Sequence, residues 1–207
     1  MAGATLTMTF LEIGDMSLPL RDTQRHTYGE YLTWPEGERY ELIDGVAYAM
    51  GPAPVRAHQR LLAEMFRQIA DALEGGGCEV DIAPFDVRLP EQDEADEEIV
   101  NVVQPDIVVI CDRDKLDDKG CRGAPDWVIE ILSPSTAGHD QILKLALYER
   151  HGVKEYWLAH PTDHIVTVYR LEDGRYGRPG VYELKGSLRA ACCEVEIDWD
   201  RVVAGLE

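Results

Sequence analysis

An α/β fold, more specifically α+β with a mixed sheet, is predicted by three features of the sequence. One long helix-period stretch follows residue 56, two similar apolar strand patterns each open on a Pro-Asp pair, and hairpin-type strands follow a second helix. The order helix, several strands, helix, strands is that of a sheet with helices packed on it. No internal repeat and no convincing domain boundary interrupts it, and 207 residues suffice for one domain with a respectable core.

Residues 1–26 read as a tail and 27–207 as that single domain. The opening MAGATLTMTFLEIGDM is mildly apolar, lacks a basic segment and carries Glu12 and Asp15. It makes a poor signal peptide and suits an ill-ordered terminus. TYGEYLTWPEGERYELIDGVAYAM holds a short helical piece over 28–32 and then a hairpin, RYELI against VAYAM, turned at Asp44-Gly45. In RAHQRLLAEMFRQIADALEGGG, Leu61, Leu62, Met65, Phe66, Ile69, Ala70 and Leu73 recur at helical spacing, and Gly75 to Gly77 end the helix. CEVDIAPFDVRLP reads as a strand pair or one bent strand, followed by the acidic run EQDEADEE. PDIVVIC (105–111) and PDWVIEIL (125–132) are strands joined by a polar connector. Ser133-Pro134-Ser135-Thr136 breaks the second and offers N-caps for a helix over about 137–151, closed by Gly152. EYWLA, HIVTVYRL and RYGRPGVYEL are late strands, turned at 161–163 and 172–174.

Composition narrows the functions. Apolar content of 45% and charged content of 29% are ordinary for a globular protein, and no apolar run is long enough to span a bilayer. The five cysteines are odd in number, scattered and never spaced CxxC, which predicts reduced thiols in a cytoplasm with neither a zinc site nor a disulfide. A formal charge of −19 argues against a broad nucleic-acid-binding surface, since phosphates are gripped through lysine and arginine. The run at 91–98 holds six acids in eight residues and reads as a solvated loop; without them the charge is still −13.

WVIEILSPST poses the chemical question, because Glu130 interrupts a β-branched apolar run. A buried carboxylate costs several kcal/mol unless it is paired or coordinated. Either this strand has a wet face, or a metal or cation sits at Glu130. If the strands after Pro105 and Pro125 are antiparallel neighbours, Asp106 at the start of one lies beside Glu130 near the end of the other. Asp126 is four residues from Glu130, roughly 13 Å along a strand. Two such carboxylates form a hard-oxygen site suited to Mg²⁺ or Mn²⁺. On the following helix Ile142, Leu143, Leu145, Ala146 and Leu147 cover the apolar arc. Asp140, Lys144 and Tyr148 fall on the opposite side, where they make either a solvated face or, through Lys144, a reach back to Glu130.

These residues also carry a resemblance. YELIDGVAYAM, HQRLLAEM, QPDIVVI, WVIEILSPST, HDQILKLALYERHGVKEYWL and VYRLEDGRY, in this order over roughly 27–185, resemble the Uma-two family of restriction endonucleases, within the PD-(D/E)xK nuclease-like superfamily. The resemblance implies a restriction-endonuclease-like αβββαβ core with extra β-hairpins, divalent-metal hydrolysis of DNA phosphodiesters, and commonly a homodimer. Asp106 is similar to the metal-binding aspartate and Glu130 to the acid of the (D/E)xK strand, with the backbone carbonyl of Ile131 completing the metal shell. Leu132 stands where the superfamily has its lysine, and Lys144 resembles a migrated replacement. Glu41, Asp44, His58 and Gln59 fall in recurrent family motifs. Of these, Glu41 is a further candidate carboxylate, and His58 or Gln59 a contact to metal-bound water or phosphate, against the plainer roles of turn and helix start. Tyr148 stands between a site bond and packing, and Glu155 is a secondary acidic candidate. The competing readings are a non-catalytic binding or assembly module of the same fold, and a nuclease for RNA or single-stranded ends. A basic rim formed by Arg56, Arg60, Arg67 or Lys154 would favour the nuclease.

Overall fold

The computed structural model describes residues 9–13, 16–20, 24–35, 37, 39–51, 53–133 and 137–206. In chain order the elements begin with strands β1 (Thr9–Ile13) and β2 (Met16–Leu20), helix α1 (Tyr28–Tyr31), strands β3 (Tyr40–Ile43) and β4 (Val46–Ala49), and helix α2 (Arg56–Leu73). Six strands follow: β5 (Glu79–Ile82), β6 (Val87–Arg88), β7 (Val102–Val103), β8 (Ile107–Ile110), β9 (Leu116–Asp117) and β10 (Gly120–Arg122). Then come β11 (Trp127–Ile131), a π-helical turn (His139–Lys144), α3 (Leu145–His151) and β12 (Glu155–His160). The chain closes with β13 (Ile165–Glu172), β14 (Arg175–Tyr176), β15 (Gly180–Glu183), β16 (Ser187–Arg189), β17 (Glu196–Asp198) and α4 (Trp199–Ala204).

Within these, α2, β5, β8, β11, α3 and β12 reproduce the αβββαβ order, with β6–β7 and β9–β10 inserted. The core sheet runs β14-β13-β12-β11-β8-β5, with β15 added beside β13. It is mixed: β11 pairs β12 in parallel and β8 antiparallel. The parallel pair needs a crossover, which the π turn and α3 supply. A second sheet, β1-β2-β4-β3-β7-β6-β10-β9, carries the predicted hairpin. Its turn places Asp44 and Gly45 at φ 51 and 78°, the two positive values that Asp-Gly tolerates in a tight hairpin. The two strands within CEVDIAPFDVRLP belong to different sheets. Residues 134–136 of the N-cap stretch lie outside the described residues, as do 1–8, 14–15 and 21–23 of the segment read as a tail, within which β1 and β2 pair.

The central strands are buried on both faces, hence their nearly continuous apolar runs. On one face Ile107, Val109, Trp127, Ile129, Ile131 and Trp157 pack under Leu61, Leu62, Met65 and Ile69 of α2 and Trp199 of α4. On the other, Val108, Ile110, Val128, Leu132, Tyr156 and Leu158 meet Leu147 and Tyr148 of α3 and Ile43, Val87 and Val103 of the second sheet. By strand alternation Glu130 belongs to this second face, between Val128 and Leu132.

Two expectations are corrected here. Cys78 and Cys111 form a disulfide, because the β5–β8 register that opposes Glu79 to Ile110 sets the next residues outward across from each other. Among the described residues Cys121, Cys192 and Cys193 are free. The acidic run is not simply solvated: Asp96 is held by Arg88 at 2.7 Å, Lys119 at 3.0 Å and Arg122 at 3.7 Å. Arg88 is fully buried and also grips Asp117 at 2.6 Å, which ties the loop to β9. No helix among the described residues is long and apolar enough to cross a membrane.

Candidate active site

Antiparallel pairing of β8 with β11 opposes Ile107 to Ile129, so Asp106 and Glu130 come together one step further along. The backbone N–H of Asp106 points at Glu130 Oε2 at 3.4 Å, and the N–H of Ile131 donates to Asp106 Oδ2 at 2.7 Å. Asp106 Oδ2 also meets His58 Nε2, from the first turn of α2, at 3.1 Å. All five residues of β11 are buried, which excludes a wet face as the reason for Glu130.

Lys144 supplies the partner. Its Nζ lies 2.8 Å from Glu130 Oε1, 2.8 Å from Glu41 Oε1 and 3.4 Å from Asp140 Oδ1. Three carboxylates therefore use the three donors of one ammonium group. Tyr148 adds its hydroxyl to Glu130 Oε1 at 3.4 Å. Glu41 Oε2 meets His139 Nε2 at 2.9 Å, and Glu41 Oε1 also accepts from the backbone N–H of Gln104 at 2.8 Å. Of the two orientations open to this helix, it takes the one in which Lys144 reaches Glu130. Asp140, Lys144 and Tyr148 are buried, whereas Ile142 is 60% exposed and Ala146 faces solvent. Ion pairing and hydrogen bonding outweigh burial of one isoleucine. The local cause is the π turn, whose Asp140 carbonyl accepts from the buried Tyr156 hydroxyl at 3.1 Å, so that a side chain enters the helical ladder.

Electrostatics separate the two principal carboxyls. Burial alone would lower the Lys144 ammonium, but Glu130, Glu41 and Asp140 hold it well above the ordinary lysine value. Burial would raise Glu41, yet Lys144 and His139 bring it below the ordinary range. Glu130 is raised well above that range by burial and by Asp140, Asp106 and Glu41, against Lys144 alone. Of the two carboxyls sharing Lys144, Glu130 is the one that takes a proton first.

Two carboxylate side chains, Asp106 and Glu130, rather than a closed cage, are what the geometry brings together for a metal. Among the described residues no three His, Cys, Asp or Glu side chains converge as a metal cluster. The hydrogen bonds made to the Asp106 carboxylate by described residues fall on Oδ2, and the Lys144 and Tyr148 bonds fall on Glu130 Oε1. Asp106 Oδ1 and Glu130 Oε2, the latter approached only by the Asp106 N–H at 3.4 Å, are the hard oxygens left for a cation, and Mg²⁺ needs only one or two carboxylates when it keeps its waters. A carboxyl raised by three neighbouring acids is also where an added cation gains most. The residues fit a hydrated hard cation.

The other expected residues divide. Gln59 is exposed, and Asp44 serves the hairpin turn, with Arg150 2.8 Å from its carboxylate. Glu155 opposes Trp127 in the parallel register, three residues from the level of Glu130, and is closed by Arg170 at 2.7 Å. The anticipated basic rim is spent elsewhere only in part: Arg67 pairs with Glu64 and Asp71, and Lys154 with Asp126, whereas Arg60 is tethered by the neutral Gly205 carbonyl. His139 and Gln104 were not anticipated. The one signal for His139 was its place beside Asp140, four residues before Lys144, and helical spacing at 3.6 residues per turn hides what a π turn does.

Comparison with known proteins agrees with this architecture. A protein of Synechocystis sp., itself uncharacterized, is 30% identical over 148 residues, which span 70% of this chain and 73% of that one. A crystal structure of a "putative nuclease belonging to DUF820" from Anabaena variabilis superposes with a TM-score of 0.69 at 22% identity, covering 87% of this chain and 99% of that one, a likeness of fold. The family model Uma2, described as "Putative restriction endonuclease", matches residues 28–199. The match takes in β3, α2, β8, β11 and the Lys144 helix together, and the chain belongs to the Uma2 family.

Proposed function

We propose that this chain hydrolyses phosphodiester bonds of DNA, with Mg²⁺ or Mn²⁺ held by Asp106, Glu130 and the Ile131 carbonyl. The observation that carries the reading is the 2.8 Å contact of Lys144 with Glu130 beside Asp106, a lysine delivered by the crossover helix to the place that Leu132 cannot serve. A cation held by these residues would supply positive charge against the phosphate and acidify a bound water. Lys144 keeps its proton among three carboxylates, so it acts as a fixed positive charge that orients Glu130 and offsets charge developing on the phosphate, not as a base. Glu41 holds Lys144 in place, His139 and the Gln104 N–H hold Glu41, and His58 orients Asp106. A homodimer is proposed on family resemblance.

The net charge of −19 favours, as a second reading, a member of the fold that binds without cutting, since free duplex DNA is repelled; a nuclease for RNA or single-stranded ends is the further alternative. Supercoiled plasmid, single-stranded DNA and RNA incubated with Mg²⁺ or Mn²⁺, against chelator, test both. We expect metal-dependent cleavage that Glu130→Gln abolishes. Folded wild-type protein that cuts none of them would sink the nuclease reading, and cleavage surviving the substitution would sink the site.

A further inference from the structure

A tethered arginine extends this site. Arg39 immediately precedes β3, and its carbonyl accepts from the Met50 N–H at 2.9 Å, so the ladder continues through it. Residues two apart on a strand share a face, which puts Arg39 on the side of Glu41. Arg39 is an exposed residue, yet both its Nε and Nη2 donate to one oxygen, Gln104 Oε1, at 3.2 and 2.7 Å. Gln104 is buried and is itself oriented, since its Nε2 donates to Asp86 Oδ1 at 2.8 Å and Tyr28 donates to Asp86 Oδ2 at 3.0 Å. Its backbone N–H is the one bound to Glu41, and it stands two residues before Asp106.

Holding an exposed arginine still costs rotamer entropy. Solubility does not require that cost, nor does folding, since Gln104 could bond water. The choice of a neutral amide is informative. Arg67, Arg88, Arg150 and Arg170 are each closed on carboxylates, whereas among the described residues no carboxylate lies within ion-pair distance of Arg39. Its full charge and the donors of Nη1 remain, in a chain whose net charge otherwise repels nucleic acid. A planar fork of fixed position suits phosphate oxygens better than a flexible ammonium does.

We propose that Arg39 binds a backbone phosphate of the nucleic-acid substrate, next to the one attacked at Asp106 and Glu130. The proposal rests on the nuclease reading and deepens it. Arg39 is a substrate-binding residue that contributes to affinity and strand placement, not to the chemical step.

The test is anisotropy of short labelled oligonucleotides, single-stranded and duplex, with Ca²⁺ replacing Mg²⁺, over a salt titration. Cleavage kinetics in Mg²⁺ or Mn²⁺ are measured beside it. Arg39→Gln should weaken binding about tenfold and reduce the salt slope by about one, with Arg39→Lys between it and wild type. KM should rise while kcat holds, and thermal melting should be unchanged. Wild-type affinity and slope in Arg39→Gln, with cleavage intact in the parent, would overturn this proposal and leave the nuclease standing. A fall in kcat at unchanged affinity would also overturn it. A parent protein that neither binds nor cuts would bring down the nuclease reading, and this proposal with it.

Discussion

At Lys144 a single ammonium faces Glu130, Glu41 and Asp140, and its removal leaves three buried carboxylates without a counter-charge. Lys144→Met should destabilise by about 3–5 kcal/mol at neutral pH, read by urea denaturation. The deficit should shrink on acidification, because the orphaned carboxyls then fold protonated. A loss under 1 kcal/mol would mean that the three carboxylates do not depend on Lys144. His139 acts one contact further out. His139→Ala removes a hydrogen bond of about 1 kcal/mol from Glu41, whereas Gln can return an amide N–H to the place of Nε2. Cleavage should fall several-fold in His139→Ala and recover in His139→Gln; equal loss in both would show that the ring is needed only for packing, against Tyr48 at 4.9 Å among others. At this scale Asp106 and Glu130 were legible, since adjacent apolar strands joined by a polar connector imply an antiparallel pair. Gln104 and Arg39 were not, because a contact spanning 65 residues leaves no local pattern.

Among the elements, α2 and the β3–β4 hairpin follow from periodicity and turn chemistry alone. The crossover helix does not. Its sequence shows an apolar arc, but it opens on a π turn whose Asp140 carbonyl accepts from Tyr156, contributed by the next strand. Tyr156→Phe should cost about 1 kcal/mol in urea denaturation and reduce cleavage, as the turn relaxes towards regular α geometry and loosens Lys144. Unchanged activity would show that the lysine is placed by its ion pairs alone. β5 and β6 give a related lesson, since one apolar stretch was divided between two sheets by pairing partners that lie elsewhere in the chain.

For the whole molecule, the acid-rich composition is organised by a few buried cations. At Asp96 burial works to raise the carboxyl, and Lys119 and Arg88 more than reverse it; at Asp117 Arg88 and the Lys119 N–H do the same. Both carboxyls are held below the ordinary aspartate value. Their stabilisation is therefore complete above that value and is lost as pH falls through the lowered folded one. Glu41 adds to the same acid limb. Glu130 opposes it: its carboxyl is raised, so its contribution is present below the ordinary value and fades as pH rises through the raised one. Urea midpoints measured from neutral to acid pH should fall steeply in wild type and less steeply in Arg88→Met, which has already lost the partner of Asp96 and Asp117. Parallel curves would refute the network as the source of acid sensitivity.

The αβββαβ core was implied by the family resemblance; by itself the sequence determined the order helix, strands, helix, strands, the hairpin at Asp44-Gly45 and, given antiparallel neighbours, the meeting of Asp106 with Glu130. These depend on period, turn chemistry and neighbouring pairing, which are local. Only the tertiary structure decided that the face carrying Asp140, Lys144 and Tyr148 is buried, that Cys78 and Cys111 join, and that His139 and Gln104 bind Glu41 beside Lys144, with Arg39 held in turn by Gln104. Those outcomes depend on desolvation and charge pairing between residues far apart in the chain, and such energies exist only once the two sheets have closed around them.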